Sequence, residues 1–268
     1  MAEDNWFVIN DIDKLDTPAL VIYPERVKEN IVILKSMIDD VSRLRPHVKT
    51  HKSKEAAMLM LEAGITKFKC ATIAEAEMLG LSKAPDVLLA YQPVGPKLER
   101  FVKLIKAYPA TQFSCLVDNS VAAQNISDAA SVHQLKISVY IDLNVGMNRT
   151  GITPGSEALQ LYMDCNALPD IKLTGLHAYD GHIHDADLTI RTKKCNEAFD
   201  LVKKLQQDII QKGYPTPVII AGGSPTFPVH AKRGVVECSP GTFIYWDRGY
   251  SLSCAEQPFL TAALVVSR

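Results

Sequence analysis

The stretch Arg43–Ser53, "RLRPHVKTHKS", sets Arg45, His47, Lys49 and His51 at alternate positions. On an extended strand successive side chains point to opposite faces, so those four polar groups share one side and Pro46, Val48 and Thr50 the other. Working outward, further short strand-like runs follow: "KFKCAT", "DVLLAYQ", "FSCLVDN", "KISVYIDLN", "KLTGLHAYD", "PVIIAGG" and "VVECSPGTFIYW". Longer amphipathic segments lie between them, among them "SKEAAMLMLEAG", "PKLERFVKLIKAYP" and "TIRTKKCNEAFDLVKKLQQDIIQKG". Strands alternating with helices read as βαβ units around a parallel sheet. Counted from Arg43 there are eight such runs, the number that closes an α/β barrel of the (β/α)8 type. The competing architecture, a doubly wound open sheet, would carry a G-x-G-x-x-G turn after its first strand, and none stands there.

Two β-like pieces are left over, "TPALVIYP" before the barrel and "FLTAALVVSR" at its end. They read as parts of a second, strand-rich domain. The expected division is an N-terminal arm and strand over residues 1–23, a barrel over 24–255, and the start of a C-terminal β-domain over 256–268. The apolar stripe of the long helical segment (Phe199, Leu201, Val202, Leu205, Ile209) marks it as a covering helix.

The 268 residues, 47% of them hydrophobic, are ample for one large globular unit. A net charge of −1 argues against an electrostatic nucleic-acid binder. The N-terminal stretch lacks a signal-peptide pattern, and no apolar run is long enough to span a bilayer. The six cysteines are scattered without a C-x-x-C pair, the usage of a reduced, cytoplasmic protein without disulfides.

In such a barrel function gathers at the C-terminal ends of the strands. Lys49 ends the first run, where a shielded amine near other cations has a lowered pKa and condenses with carbonyls. The fifth run ends "DLNVGMNRTG", bringing Asp142, Asn144 and Arg149; the sixth ends "GLHAYDGHIHD", bringing His177, Tyr179, Asp180, His182 and His184. After the seventh come Gly222, Gly223 and Ser224, and in the eighth Gly241 and Thr242, segments whose backbone N–H groups can face an anion. An amine opposite two glycine loops suggests an aldehyde that carries a phosphate.

That description fits pyridoxal 5'-phosphate, and the chain resembles the fold-type III pyridoxal phosphate enzymes built on an alanine-racemase-type TIM barrel. Within them it looks like the D-threonine aldolase and D-serine dehydratase branch, over nearly the whole chain, with "RPHVKTHK" as the sharpest motif. The resemblance implies that Lys49 is the Schiff-base lysine, that Arg149 contacts the phenolic oxygen of the cofactor, and that Tyr179 lies beside its pyridine. "AGGS" and "PGT" match the phosphate cup, which adds Gly222, Gly223, Ser224, Gly241 and Thr242, with His47 beside them, to the cofactor-binding set. Lys49, Tyr179, Asp180 and His182 form the expected catalytic set, with His184 and His51 as further candidate bases.

The chain departs from alanine racemases at Ser239, where those enzymes place an arginine against the pyridine nitrogen; the motif therefore does not support a racemase. The resemblance further implies a divalent metal (Mn, Mg or Zn) held by ligands of a C-terminal β-domain that would lie beyond Arg268, and a homodimer. The expected activity is retro-aldol cleavage of a D-β-hydroxy-α-amino acid, D-threonine giving glycine and acetaldehyde. Dehydration of D-serine to pyruvate and ammonia, or cofactor binding without catalysis, are the alternatives.

Overall fold

The computed structural model describes residues 5–267; the first four residues of the expected N-terminal arm, and Arg268, lie outside the described residues. Seven parallel strands form a curled sheet in sequential order: β2 (Lys67–Cys70), β3 (Asp86–Leu89), β4 (Gln112–Val117), β5 (Ile137–Leu143), β6 (Ile171–Ala178), β7 (Val218–Ala221) and β8 (Val236–Cys238). A separate antiparallel pair joins β1 (Ala19–Ile22) to β9 (Ala263–Val266). Helices α1 (Pro24–Ser36), α2 (Lys54–Glu62), α3 (Ile73–Leu81), α4 (Pro96–Ala107), α5 (Ser120–Val132), α6 (Ser156–Ala167), α7 (Leu188–Gln211) and the short α8 (Phe227–His230) and α9 (Arg248–Ser253) complete the chain. Side chains that suit N-caps open several of them: Ser53, Thr72, Asn119 and Asp187 accept the first free N–H groups of α2, α3, α5 and α7. No described helix is long and apolar enough to cross a membrane.

The first expected strand is not a continuous strand. The chain makes 3-10 turns at Val41–Arg43 and Val48–Thr50, and between them only Leu44 and His47 form bridges, to Cys238 and Lys69. Pro46 has no N–H to give, and the turn at Val48 ends the extended run after four residues. Those four residues nevertheless close the barrel. Arg45 N–H donates to the Cys238 carbonyl (2.8 Å), His47 N–H to Pro240 (3.0 Å), and Lys69 N–H to Pro46 (2.9 Å), so the segment sits as the eighth stave between β8 and β2. The eighth run also stops early, since β8 spans three residues and a 3-10 turn follows at Thr242–Ile244.

Strand alternation sorts the side chains into an outer shell and a filled interior. Leu44, Val48, Phe68, Val87, Leu89, Val139, Ile141, Leu176 and Cys238 pack outward against the helices. Leu88, Leu116, Tyr140 and Ile220 form the middle of the interior. Below them Arg45, 1% exposed, makes a bidentate contact with Asp86 (2.7 and 3.0 Å) and donates Nε–H to Glu237 (2.7 Å), which Lys67 also pairs. Above them lie His47, Lys69, Asp142 and His177, all buried. On α7 the buried stripe runs through Arg191, Cys195, Phe199, Val202, Leu205 and Ile209, while Leu201, expected in it, is 48% exposed. All six cysteines are free and buried.

Because Arg45 neutralises two carboxylates at the barrel floor, Arg45→Met leaves both without their main partner. A loss of about 3–5 kcal/mol is expected in denaturant unfolding, as for other broken buried pairs; an unchanged midpoint would show that the floor tolerates the charges through solvent.

Candidate active site

The barrel mouth is an open cavity of ≈460 Å3, with a second lobe of ≈210 Å3 that shares His47, Lys49 and Tyr179 as lining residues. The larger part is lined by Gly223, Ser224, Ser239, Gly241 and Thr242. The turns after β7 and β8 meet there, because Ser224 Oγ accepts N–H groups from both Gly241 (3.2 Å) and Thr242 (3.0 Å). Gly222 has φ +79°, and a Cβ there would press on the His230 ring at 2.7 Å. Gly223 N–H bonds Thr226 Oγ1 (3.3 Å), and a Cβ on Gly223 would stand 3.1 Å from the Tyr179 ring.

Lys49 reaches this cavity from the 3-10 turn, its residue exposed at the rim. Partial desolvation in the mouth, and then the Arg149 charge, hold its amine below the ordinary lysine value. His47 accepts the Lys49 N–H at Nδ1 (3.3 Å), and burial together with the Lys69 charge keeps its ring neutral. Tyr179 is the centre of the cationic groups: Lys49 Nζ, Lys69 Nζ and the Arg149 guanidinium stand 5.5, 5.3 and 5.2 Å from its ring centre.

The smaller lobe holds what the sequence reading did not single out. Lys69, 3% exposed, points into it from β2, and no described residue hydrogen-bonds or pairs its amine. Burial, then the Lys49 charge, pulls it down to about 7. The signal was present in "KFKCAT", where Lys69 has the inward parity of its bridge partner His47, but a lysine in a short strand is usually a solvated residue. His177 lines the same lobe and is held by Asp142, Oδ1 to Nδ1 2.7 Å. Asp142 is fixed in turn by Thr150 Oγ1 (2.9 Å) and keeps a lowered pKa: burial raises it, and the His177 and Thr150 hydrogen bonds outweigh that.

Three expected candidates lie elsewhere. Asp180 is buried behind the cavity wall, accepting from Thr226 Oγ1 (2.8 Å) and His230 Nε2 (2.9 Å). His182 is exposed and stacked over Gly146, outside both lobes. His51 leaves the row after the turn and packs edge-on against Tyr245, its rings 6.3 Å apart. His184 lines the larger cavity from an exposed position.

Asp180, Cys195 and His230 are the metal-like cluster among the described residues. They do not suit a catalytic ion. Arg233 Nε–H donates to His230 Nδ1 (3.2 Å), which leaves the other nitrogen protonated toward Asp180, and burial pushes the Cys195 thiol up to about 12. The adjoining cavity measures ≈10 Å3, room for about one water. The cluster is a hydrogen-bonded brace that runs from Arg233 through His230 and Asp180 to Thr226 and the Gly223 N–H.

The arrangement is an α/β barrel with an amine at its mouth, a group of cationic side chains around one tyrosine ring and two linked glycine turns, a set that could take an aldehyde carrying a phosphate. A model of the alanine racemase N-terminal domain matches residues 22–249, and the chain belongs to that family, the fold-type III pyridoxal phosphate enzymes named above. D-threonine aldolase from Arthrobacter is 28% identical over 242 residues, covering 88% of this chain and 63% of that protein. D-threo-3-hydroxyaspartate dehydratase from Delftia is 27% identical, covering 94% and 68%. The crystal structure of D-threonine aldolase from Filomicrobium marinum superposes with a TM-score of 0.84 at 26% identity, over 93% of this chain and 68% of that one. The chain thus spans about two thirds of the length of these relatives. The residues present fit pyridoxal phosphate: Ser239 Oγ is buried without a partner on the cavity wall, and the two glycine turns leave a cradle opposite Lys49.

The unmatched Lys69 has a measurable consequence. A lysine titrating near 7 in the folded chain and near 10.5 when unfolded binds fewer protons folded, so stability rises with pH between those values and the penalty is complete below 7. Lys69→Met in the cofactor-free chain is expected to raise stability by on the order of 4 kcal/mol at pH 6, and progressively less towards pH 10. Denaturant melts across pH check this; a pH-independent difference would contradict it.

Proposed function

We propose that this chain is the barrel of a pyridoxal phosphate- and divalent-metal-dependent lyase acting on D-β-hydroxy-α-amino acids, of the D-threonine aldolase type. The observation that carries the proposal is the placement of Lys49 beside Tyr179 and Arg149, across one cavity from the Ser224-linked glycine turns. Bound there, pyridoxal phosphate would supply an electron sink for the pair released at the substrate's Cα.

The chain's own groups have separable tasks. The N–H groups of Gly223, Gly241 and Thr242, with Ser224 Oγ, would hold the phosphate, their present side-chain partners giving way to a stronger acceptor. Lys49 would provide the amine for the aldehyde. Arg149 would offer a permanent cation to the phenolic oxygen, and Tyr179 a flat surface for the ring. Ser239 Oγ, unpartnered on the cavity wall, would not oppose protonation of the pyridine nitrogen as an arginine would. Divalent-metal dependence, homodimerisation and a cytoplasmic setting belong to the same proposal, the first two carried over from the family resemblance and the last from the cysteine usage and the N-terminal pattern; no described donor set suits the metal. The β1–β9 pair, with Leu20 opposite Val265 and both exposed (56% and 74%), supports reading these two strands as parts of a second domain or subunit contact, whereas Gln257, Phe259 and Ala262 are buried with the barrel, Gln257 donating to the Ser224 carbonyl (2.9 Å).

A dehydratase reading is supported by the Delftia relative, whose identity is nearly the same. The two readings differ in products. The experiment is to incubate the protein with pyridoxal phosphate, reduce with borohydride and map the labelled peptide, then supply D-threonine and D-serine with divalent metals. Label confined to Lys49 and lost in Lys49→Gln, with acetaldehyde and glycine formed from D-threonine, is the expected result. A keto acid with ammonia would move the assignment to the dehydratase, and label scattered over surface lysines would remove the cofactor site altogether.

A further inference from the structure

His177 has features of a general base that the sequence reading assigned to other histidines. It is 3% exposed, its Nδ1 lies 2.7 Å from Asp142 Oδ1, and its Nε2 is buried with no hydrogen-bond partner. The ring lines the smaller lobe together with Lys49, Lys69, Arg149 and Tyr179. An ionised Asp142 can only accept, so Nδ1 carries the proton and Nε2 presents a lone pair. A carboxylate behind the far nitrogen, fixing the tautomer and leaving the near nitrogen unpartnered, is the arrangement that orients a histidine for proton abstraction.

We propose that His177, oriented by Asp142, is the group that takes the β-hydroxyl proton of the substrate in the smaller lobe. The assignment rests on the lyase reading above and adds a residue role to it. In the step the O–H bond breaks and its proton passes to Nε2. The O–H electron pair forms the carbonyl of the departing aldehyde, the Cα–Cβ bond breaks, and its pair remains on Cα, which later takes up a proton to give glycine. Aldol cleavage needs a proton removed from the hydroxyl, whereas expulsion of that hydroxyl as water needs one added. An unprotonated Nε2 suits the first.

The groups facing His177 set its titration. Lys69 from β2, Arg149 from the loop after β5 and His47 from the closing segment surround it, with Asp142 from β5 as the counterweight. Burial, and then the Lys69 charge, place it below the ordinary histidine value despite Asp142, so the ring is unprotonated at neutral pH. Lys69 lines the same lobe as His177.

The test uses the whole chain and three variants: His177→Gln, Asp142→Asn and Lys69→Met. The first readout needs no turnover. Histidine 15N NMR of the cofactor-free wild type at pH 7 is expected to show His177 protonated at Nδ1 only, and Asp142→Asn is expected to disturb that state. In the second, borohydride label on Lys49 should persist in His177→Gln while kcat/KM for the D-β-hydroxy amino acid falls by about 10²–10⁴-fold. The acid limb of the kcat/KM profile should vanish in His177→Gln, and in Lys69→Met it should move to higher pH, because removing the cation favours the imidazolium. A merely structural histidine would leave that limb in place. A proton on Nε2 in the neutral protein, or His177→Gln cleaving at the wild-type rate with Lys49 still labelled, overturns the assignment alone. A wild type that holds the cofactor and cleaves no such substrate overturns the lyase reading and this role with it.

Discussion

The four residues from Leu44 to His47 hold the barrel shut, and the site depends on that closure. Their backbone groups bond β8 on one side and β2 on the other, through Arg45 to Cys238, His47 to Pro240 and Lys69 to Pro46. The same short segment thereby does three jobs. It sends Arg45 down to neutralise Asp86 and Glu237, lifts Lys49 to the rim, and sets His47 beside both Lys69 and the Gly241 turn. A longer ladder is not needed, because the flanking strands are tied to each other all the way round and the outward Leu44 and Val48 are fully buried against the helices.

Above that floor the barrel accumulates charge it does not balance. Lys49, Lys69 and Arg149 surround one tyrosine ring, and no acidic residue lines the smaller lobe. Asp142 and Asp180 are near enough to raise the Lys69 pKa and too committed to other partners to pair it. Burying a cation without a partner is expensive, and of these three Lys69 is the buried one, Lys49 and Arg149 standing exposed at the rim.

Rigidity comes from behind. The brace from Arg233 through His230 and Asp180 to Thr226 fixes the Gly223 turn, with α7 supplying Cys195 and covering the rear wall. The Asp180 carboxylate is thus committed to Thr226 and His230 behind the cavity wall. The brace and the Asp142–His177 pair are parallel devices: in each a buried aspartate holds one histidine nitrogen, but the other nitrogen of His230 is taken by Arg233 while that of His177 has no partner.

The sequence by itself determined the barrel, the outward and inward faces of its strands, and the ends at which function collects, because period-2 alternation and βα succession are local properties of the chain. It also pointed to Lys49, Arg149, Tyr179 and the two glycine turns as groups that gather at one mouth, which is where they stand. Tertiary structure alone decided which histidine is held by a carboxylate beside the smaller lobe. His51, His177, His182 and His184 look alike in a linear reading; a turn at Val48 removes His51, an exposed loop carries His182 over Gly146, and only the neighbouring strand's Asp142 distinguishes His177. His230, and the burial of Lys69 behind the faint parity signal of "KFKCAT", were hidden for the same reason. Their protonation and partners are set by groups that arrive from other strands, and those distances come into being only when the barrel closes.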